Sequence, residues 1–207
     1  MVRVDCIVLA TGSEPSLGFG LENANVKYQN TGITVNKLFQ TSAKNIYAIG
    51  DCLGRDSSTD RSIQEGLTLA NNLINGTKNA TNYKGLTRVI NTCPEIAVIG
   101  STEAELIKLK RKYRKAVTNL DETTASKIHN FSHGFVKLII NKSHHIIGAS
   151  IVAPNASLMA EEISLAMRHN LTTLEIASTP HITNSYNEAI KLTAKKLLTK
   201  SFIKRKS

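Results

Sequence analysis

Two constellations in this 207-residue chain carry residue types suited to chemistry. The first is His181, placed in a turn by Pro180, with Glu188 seven residues further on. An imidazole beside a carboxylate is a general acid–base arrangement, the carboxylate orienting the ring and raising its pKa. The second is Gly50-Asp51, which closes the apolar run Ile46 to Ile49. In an open α/β sheet, ligands dock in the crevice beyond the strand ends. Gly50 would permit close backbone approach there, and the Asp51 carboxylate offers acceptors for hydroxyl groups such as those of a ribose or ribityl chain. The other histidines are His129, His133, His144, His145 and His169. His144-His145 falls in a predicted hairpin, facing solvent, and no further metal ligands can be placed around it. Cys6, Cys52 and Cys93 are far apart and form no Cys-x-x-Cys pair, so the chain encodes neither a zinc knuckle nor a local redox dithiol. They read as reduced, buried thiols of a cytoplasmic protein. Neither Gly-x-Gly-x-x-Gly nor Gly-x-x-x-x-Gly-Lys-Ser/Thr occurs, so the chain has no pyrophosphate loop of its own.

The elements that must position these groups follow from pattern. Met1 to Ala10 reads as a buried strand ending at Thr11-Gly12, and residues 13–30 are rich in turns. Gly32 to Val35 and Ile46 to Ile49 are short strands. Residues 61–74 form a helix with Ile63, Leu67, Ala70, Leu73 and Ile74 on one face, capped by Asp60 and ended by Gly76. Its amino terminus, just after Gly50-Asp51, would set free N–H groups and a helix dipole against an anionic or carbonyl-bearing ligand. The polar run 76–85 marks a boundary, giving regions 1–80 and 81–207. Beyond it, Arg88 to Ile90 and Glu95 to Ile99 are strands broken by Cys93-Pro94, and Ser101 caps a helix. Gly134 to Ile140 and His145 to Val152 form a hairpin across Asn141 to His144. A helix over 156–169 buries Leu158, Met159, Ile163, Ala166 and Met167; Leu171 to Leu174 is a short one, and a last helix runs from about Tyr186 to Lys200. Strands flanked by helices describe an α+β domain.

Composition is that of a globular protein, 41% hydrophobic and 20% charged, with a formal net charge of +10. Much of that charge lies in Lys108 to Lys115 and in the tail from Lys195 to Lys206, runs that read as solvated faces. No aromatic-interleaved basic stretch supports base stacking, which argues against specific nucleic-acid binding. No apolar run near the start is long enough for a signal core or a membrane span.

Taken together, these pieces resemble the carboxyl-terminal half of the pyridine nucleotide-disulfide oxidoreductases, the flavoenzymes related to dihydrolipoamide dehydrogenase, glutathione reductase and mercuric reductase. Asp5-Cys-Ile-Val-Leu-Ala-Thr-Gly12 with Pro15 looks like the strand and turn closing that family's NAD domain. Gly32-Ile-Thr-Val35, Thr41 and Ile46-Tyr-Ala-Ile-Gly-Asp51, with Gly54 and Glu65-Gly66, look like its second FAD motif. Cys93-Pro-Glu-Ile-Ala-Val-Ile-Gly100, Gly134 to Leu138 and Ile147 to Val152 look like its dimerisation domain. The resemblance implies a partial FAD/NAD(P)-binding α/β region followed by an α+β dimerisation domain with an antiparallel sheet. It implies FAD and NAD(P) as cofactors, with Gly12, Gly50 and Asp51 at the flavin site and the backbone of Ser58 and Thr59 approaching the flavin. It also implies that His181 and Glu188 serve the partner subunit of a homodimer.

Departures from the family pattern are specific. Gly12-Ser13 stands for Gly-Arg, and Ser58-Thr59 for Leu-Ala. The family's His-Pro-Thr-x-x-Glu is two residues longer here, from His181 to Glu188; aligning on Glu188 puts Thr183 at the histidine position, and aligning on His181 puts Tyr186 at the glutamate. The family's amino-terminal half, with its first FAD loop, cysteine pair and NAD loop, has no counterpart. The expectation is therefore a part of such an oxidoreductase, inactive alone. Two other readings are a half that complements a separately encoded amino-terminal half, and a non-enzymatic dimerising or basic surface-binding module.

Overall fold

The computed structural model describes residues 2–54 and 58–203. Arg55 to Ser57 of the polar loop and the last basic residues of the tail lie outside them. The chain divides into two compact units between Asn82 and Tyr83.

In the first unit, a 3₁₀ turn Leu21–Ala24 leads to the hairpin β1 (Tyr28–Gln29) and β2 (Gly32–Ile33). A second 3₁₀ turn, Gly50–Leu53, precedes helix α1 (Thr59–Asn75). Leu21, Val26, Ile33, Phe39, Ala48 and Leu53 form its core. Two predicted strands do not form. Residues 2–10 are exposed and form no regular element, with no strand beside them among the described residues to take their N–H and C=O groups. Ile46 to Ile49 instead closes a hairpin-like loop: Tyr47 bridges Gln40, Thr41 N–H donates to the Ile46 carbonyl at 2.9 Å, and Ala48 N–H to that of Phe39 at 3.0 Å.

Helix α1 is where expected but rotated. Ser58 rather than Asp60 caps it, its Oγ accepting from Arg61 N–H at 3.2 Å, and Gly76 ends it in the left-handed region (φ 63°). Its buried residues are Glu65 and Asn72, while Ile63, Leu67, Ala70, Leu73 and Ile74 face outward, Ile74 at 81% exposure. The polar face turns inward because loop backbone needs it. Asn72 Oδ1 accepts from Asn79 N–H at 3.0 Å while its Nδ2 donates to the Asn79 carbonyl at 2.9 Å.

The second unit holds a five-stranded antiparallel sheet in the order β3-β4-β7-β6-β5. Its elements are β3 (Thr87–Ile90), β4 (Glu95–Gly100), α2 (Glu103–Lys108), β5 (Arg114–Asn119), α3 (Thr124–Ile128), β6 (Phe135–Ile140), β7 (Ile146–Ala153), α4 (Ala156–Arg168), α5 (Thr173–Ser178) and α6 (Glu188–Ile203). The Cys93–Pro94 peptide is cis. Helix α4 packs on β4 and β7, and α6 on β5 and β6, enclosing Ile99, Leu138, Ile140, Ile151, Met159, Ile163, Ile190 and Leu197. The predicted antiparallel hairpin is β6–β7, and α2 starts one residue later than expected, capped by a Thr102–Glu105 box. On α4 Leu158 points outward and Ala156 and Ala160 take its place in the core. The basic run at 108–115 is not one solvated face, since Arg114 and Lys115 open β5. His144 and His145 are half-buried rather than solvent-facing. Cys6 and Cys93 are exposed, against the expectation of buried thiols.

Candidate functional site

Gly50 and Asp51 sit on a turn built by close backbone contacts. Gly50 has φ 75°, and a Cβ there would lie 2.9 Å from Ser62 Oγ. Gly54 closes the 3₁₀ turn, its N–H donating to the Asp51 carbonyl at 2.9 Å. With φ 62°, a Cβ at Gly54 would lie 1.2 Å from the Thr31 carbonyl oxygen, so the turn rests directly on the β1–β2 loop. The residue that holds the turn is Glu65, which is 1% exposed. Its Oε2 accepts the Gly50 N–H at 2.8 Å, and its Oε1 lies 3.1 Å from Arg61 Nε. A buried carboxylate with a guanidinium on one oxygen and a backbone donor on the other is a fixed point for the loop.

The Asp51 side chain is left exposed on the wall of a cavity of about 480 Å³. Ser13 and Ser16 line it from one segment, Asn30 and Thr31 from the β1–β2 loop, and Cys52 lies beside Asp51. The charged residues on this wall are Glu14 and Asp51, both acidic. The wall therefore suits a ligand rich in hydroxyl donors, and among the described lining residues nothing offers a phosphate a counter-charge. The Cys52 thiol donates to the Ile49 carbonyl at 3.2 Å, and burial holds it above the usual thiol range, so it is an inert neighbour rather than a nucleophile. Gly12 (φ 104°) lies in open space just before Ser13, and Ser58 and Thr59 start α1.

In the second unit, His181 and Glu188 take other partners. His181 is held at both ring nitrogens, Nδ1 lying 2.8 Å from the Thr179 carbonyl and Nε2 2.8 Å from Glu162 Oε1. Its side chain is 4% exposed. Glu162 Oε2 also accepts from Asn187 Nδ2 at 3.0 Å. This constellation clamps the loop between α5 and α6 onto α4, and it leaves no ring nitrogen for a reactant. Glu188 opens α6 and accepts from Thr124 N–H at 3.0 Å, tying α6 to the start of α3. Thr183 is exposed. Tyr186 packs its ring 5.8 Å from that of His129, and its buried hydroxyl has no partner among the described residues; burial pushes its pKa up. No group of three or more His, Cys, Asp or Glu among the described residues is placed to hold a metal, and no helix of theirs is long and apolar enough to cross a membrane.

Glu65 and Glu162 are the residues that pattern alone does not single out. Each sits on a helix and would read as solvated; the signal for Glu65 is Arg61 one turn earlier, and for Glu162 its place between Met159 and Ile163.

Comparison with known proteins gives one consistent result. Residues 86–194 match the family described as pyridine nucleotide-disulphide oxidoreductase, dimerisation domain, and residues 1–75 match pyridine nucleotide-disulphide oxidoreductase. A dihydrolipoyl dehydrogenase of Buchnera aphidicola (subspecies Acyrthosiphon pisum) is 32% identical over 93% of this chain and 41% of its own length. The mitochondrial dihydrolipoyl dehydrogenase of Dictyostelium discoideum is 30% identical over 92% of this chain and 39% of its own. The chain thus spans about two fifths of the length of these relatives. The crystal structure of LpdA from Mycobacterium tuberculosis superimposes with a TM-score of 0.78 at 26% identity, over 87% of this chain and 40% of that one. The flavoprotein disulfide reductase RclA of Escherichia coli shares the fold, with a TM-score of 0.81 at 20% identity over 90% of this chain and 44% of that one. With one family matched across both compact units, the chain belongs to the pyridine nucleotide-disulphide oxidoreductases.

Proposed function

We propose that this chain supplies the ribityl-facing part of an FAD site and the dimerisation domain of an FAD-dependent pyridine nucleotide-disulfide oxidoreductase, the carboxyl-terminal part of that architecture. The observation that carries the reading is Asp51, an exposed carboxylate on a turn fixed by buried Glu65 at a hydroxyl-lined cavity. Asp51 would accept hydrogen bonds from the ribityl hydroxyls, Gly50 and Gly12 would leave the backbone room to approach, and Ser58 and Thr59 would set the first N–H groups of α1 toward the ring. Bound FAD would pass electrons from NAD(P)H to a disulfide or related acceptor.

Turnover needs more polypeptide than these residues provide. The cavity wall has no counter-charge for the FAD phosphates among its described residues, and the apolar stripe of α1 is bare to solvent. A further segment that covers Ile63, Leu67 and Ile74 and brings a phosphate loop would meet both needs, and a homodimer through the second unit or a separate amino-terminal half are the partners in view. His181, locked onto Glu162, is not the acid–base group of this reading. The three unpaired cysteines suit a reducing, cytoplasmic setting.

The test is flavin absorbance and NAD(P)H oxidation of the purified chain, alone and co-expressed with the amino-terminal half of a dihydrolipoyl dehydrogenase. The chain alone is expected to retain no stoichiometric FAD and to oxidise no NAD(P)H. The co-expressed pair should carry flavin, with FAD affinity lowered about tenfold by Asp51→Ala. Turnover by the chain alone would overturn the dependence on a partner. Flavin binding in the pair that ignores Asp51→Ala would overturn the role of Asp51.

A further inference from the structure

The fold brings cations from three separate loops to one cavity of the second unit, of about 770 Å³. Lys84 precedes β3, Arg111 and Lys112 connect α2 to β5, and Lys142 lies in the β6–β7 turn. Leu106, Ile146 and Met167 give the same cavity an apolar lining, and among the described residues no carboxylate borders it. Lysines elsewhere on this sheet are paired: Lys115 and Lys137 both reach Glu103. Arg111, Lys112 and Lys142 form no ion pair with a carboxylate among the described residues, and Lys84 is held by the Asn170 side-chain oxygen. Arg111, Lys112 and Lys142, like charges gathered without a carboxylate partner among the described residues, repel one another, and a bound anion relieves them.

The loops that present these cations are fixed in advance. Helix α2 ends with Arg111 N–H donating to the Leu106 carbonyl at 2.9 Å and Lys110 N–H to that of Ile107 at 3.0 Å, the double bond of a Schellman termination. The left-handed position of that termination is Lys110 (φ 52°), where glycine would be less strained. In the β6–β7 turn, Asn141 Oδ1 accepts from Ser143 N–H at 2.9 Å and from His145 N–H at 3.1 Å, which sets Lys142 at the rim. Cations on pre-ordered backbone lose little freedom when they bind.

We propose that this cavity binds a small organic anion, with a phosphate or carboxylate head on Arg111, Lys112 and Lys142 and an apolar body against Leu106, Ile146 and Met167. The apolar lining and the concave shape favour a compact amphiphilic ligand over an extended polyanion, which would need a track of cations and stacking aromatics. The site lies wholly within the second unit and stands apart from the flavin reading.

The test is calorimetric titration of the full chain with hexyl phosphate, methyl phosphate and hexanol at low ionic strength. Hexyl phosphate is expected to saturate at one per chain, to bind more weakly as salt rises, and to exceed methyl phosphate by up to about fourfold per methylene buried. Hexanol should not bind measurably. Arg111→Ala with Lys112→Ala should lower hexyl phosphate affinity about ten- to a hundredfold and Lys142→Ala about tenfold, while Lys44→Ala in the other unit leaves it unchanged. Circular dichroism of each variant confirms that these exposed substitutions leave the fold intact. Equal affinity for methyl and hexyl phosphate, or affinity indifferent to Arg111 and Lys112, overturns the proposal. Binding of single-stranded DNA or anionic vesicles that hexyl phosphate does not displace overturns it in favour of a macromolecular surface.

Discussion

Replacing Glu65 by alanine tests whether one buried carboxylate organises the Asp51 turn. Two of its described interactions go at once. The part-buried Gly50 N–H, 2.8 Å from the buried Glu65 Oε2, loses its acceptor, and leaving such a donor unsatisfied costs about 1–3 kcal/mol. The Arg61 guanidinium, 3.1 Å from Oε1, also loses this carboxylate, but its side chain is 21% exposed. Solvent screening therefore reduces that second penalty to about 1 kcal/mol. Together these predict a loss of roughly 2–4 kcal/mol from the first unit. Glu65→Gln keeps an acceptor for Gly50 and should lose only about 1–2 kcal/mol, mainly the charge. Amide hydrogen exchange resolves the two: in Glu65→Ala the Gly50 amide should exchange on the order of a hundredfold faster, while Glu65→Gln retains most of its protection. The second unit should be untouched in both. Unchanged Gly50 exchange in Glu65→Ala would refute the reasoning, because the turn would then be held by something other than this carboxylate.

Gly54→Ala should disrupt the first unit by more than about 3 kcal/mol, since its Cβ would fall 1.2 Å from the Thr31 carbonyl oxygen at a positive φ; urea denaturation followed by far-UV circular dichroism should show an early transition with the sheet of the second unit still folded. Hydrogen bonds from Lys115 and Tyr113 hold the Glu103 carboxyl below the ordinary glutamate range. A depressed folded value means that this contribution is complete above the ordinary glutamate range and is lost as pH falls through the folded value, so Glu103→Gln should lower stability at neutral pH and flatten the acid limb, the two proteins converging as pH falls through the folded value. A thiol reagent at mildly alkaline pH should label Cys6 and Cys93 rapidly and Cys52 at least about tenfold more slowly, because burial keeps Cys52 protonated; peptide mapping by mass spectrometry reads this directly.

What sequence pattern reveals here depends on whether a residue's partner is local. The β6–β7 hairpin, α4 and α6 are legible because apolar residues recur at the period of the element and turn or cap residues bound them. Strand β5 is hidden because its inward residues, Ala116 and Thr118, are small or polar and its first two, Arg114 and Lys115, end a basic run that looks solvated. For α1 the periodicity is real but its direction is not inferable: Ile63, Leu67 and Ile74 form a face, yet Glu65 and Asn72 turn inward to satisfy loop backbone far along the chain. The same holds for His181. Its spacing to Glu188 suggests a pair, whereas the carboxylate it meets, Glu162, comes from another helix 19 residues earlier. Gly50 and Asp51 were recognisable from their own identities, but Glu65, which fixes them, was visible only as part of a family motif.

The exposed, unpaired run at residues 2–10 has a consequence for how the protein behaves in solution. Cys6 to Ala10 holds five successive uncharged residues, of which Ile7 and Val8 are β-branched, with no proline, and no described backbone hydrogen bond engages it. Such a segment is a template for a copy of itself, stacking strand on strand between molecules. Loss from a preparation would then begin at this end of the chain, rise with protein concentration, and proceed while the five-stranded sheet is still native. Mutual repulsion from the net charge of +10 opposes those encounters, so added salt, by screening it, should hasten fibril-like association rather than protect against it.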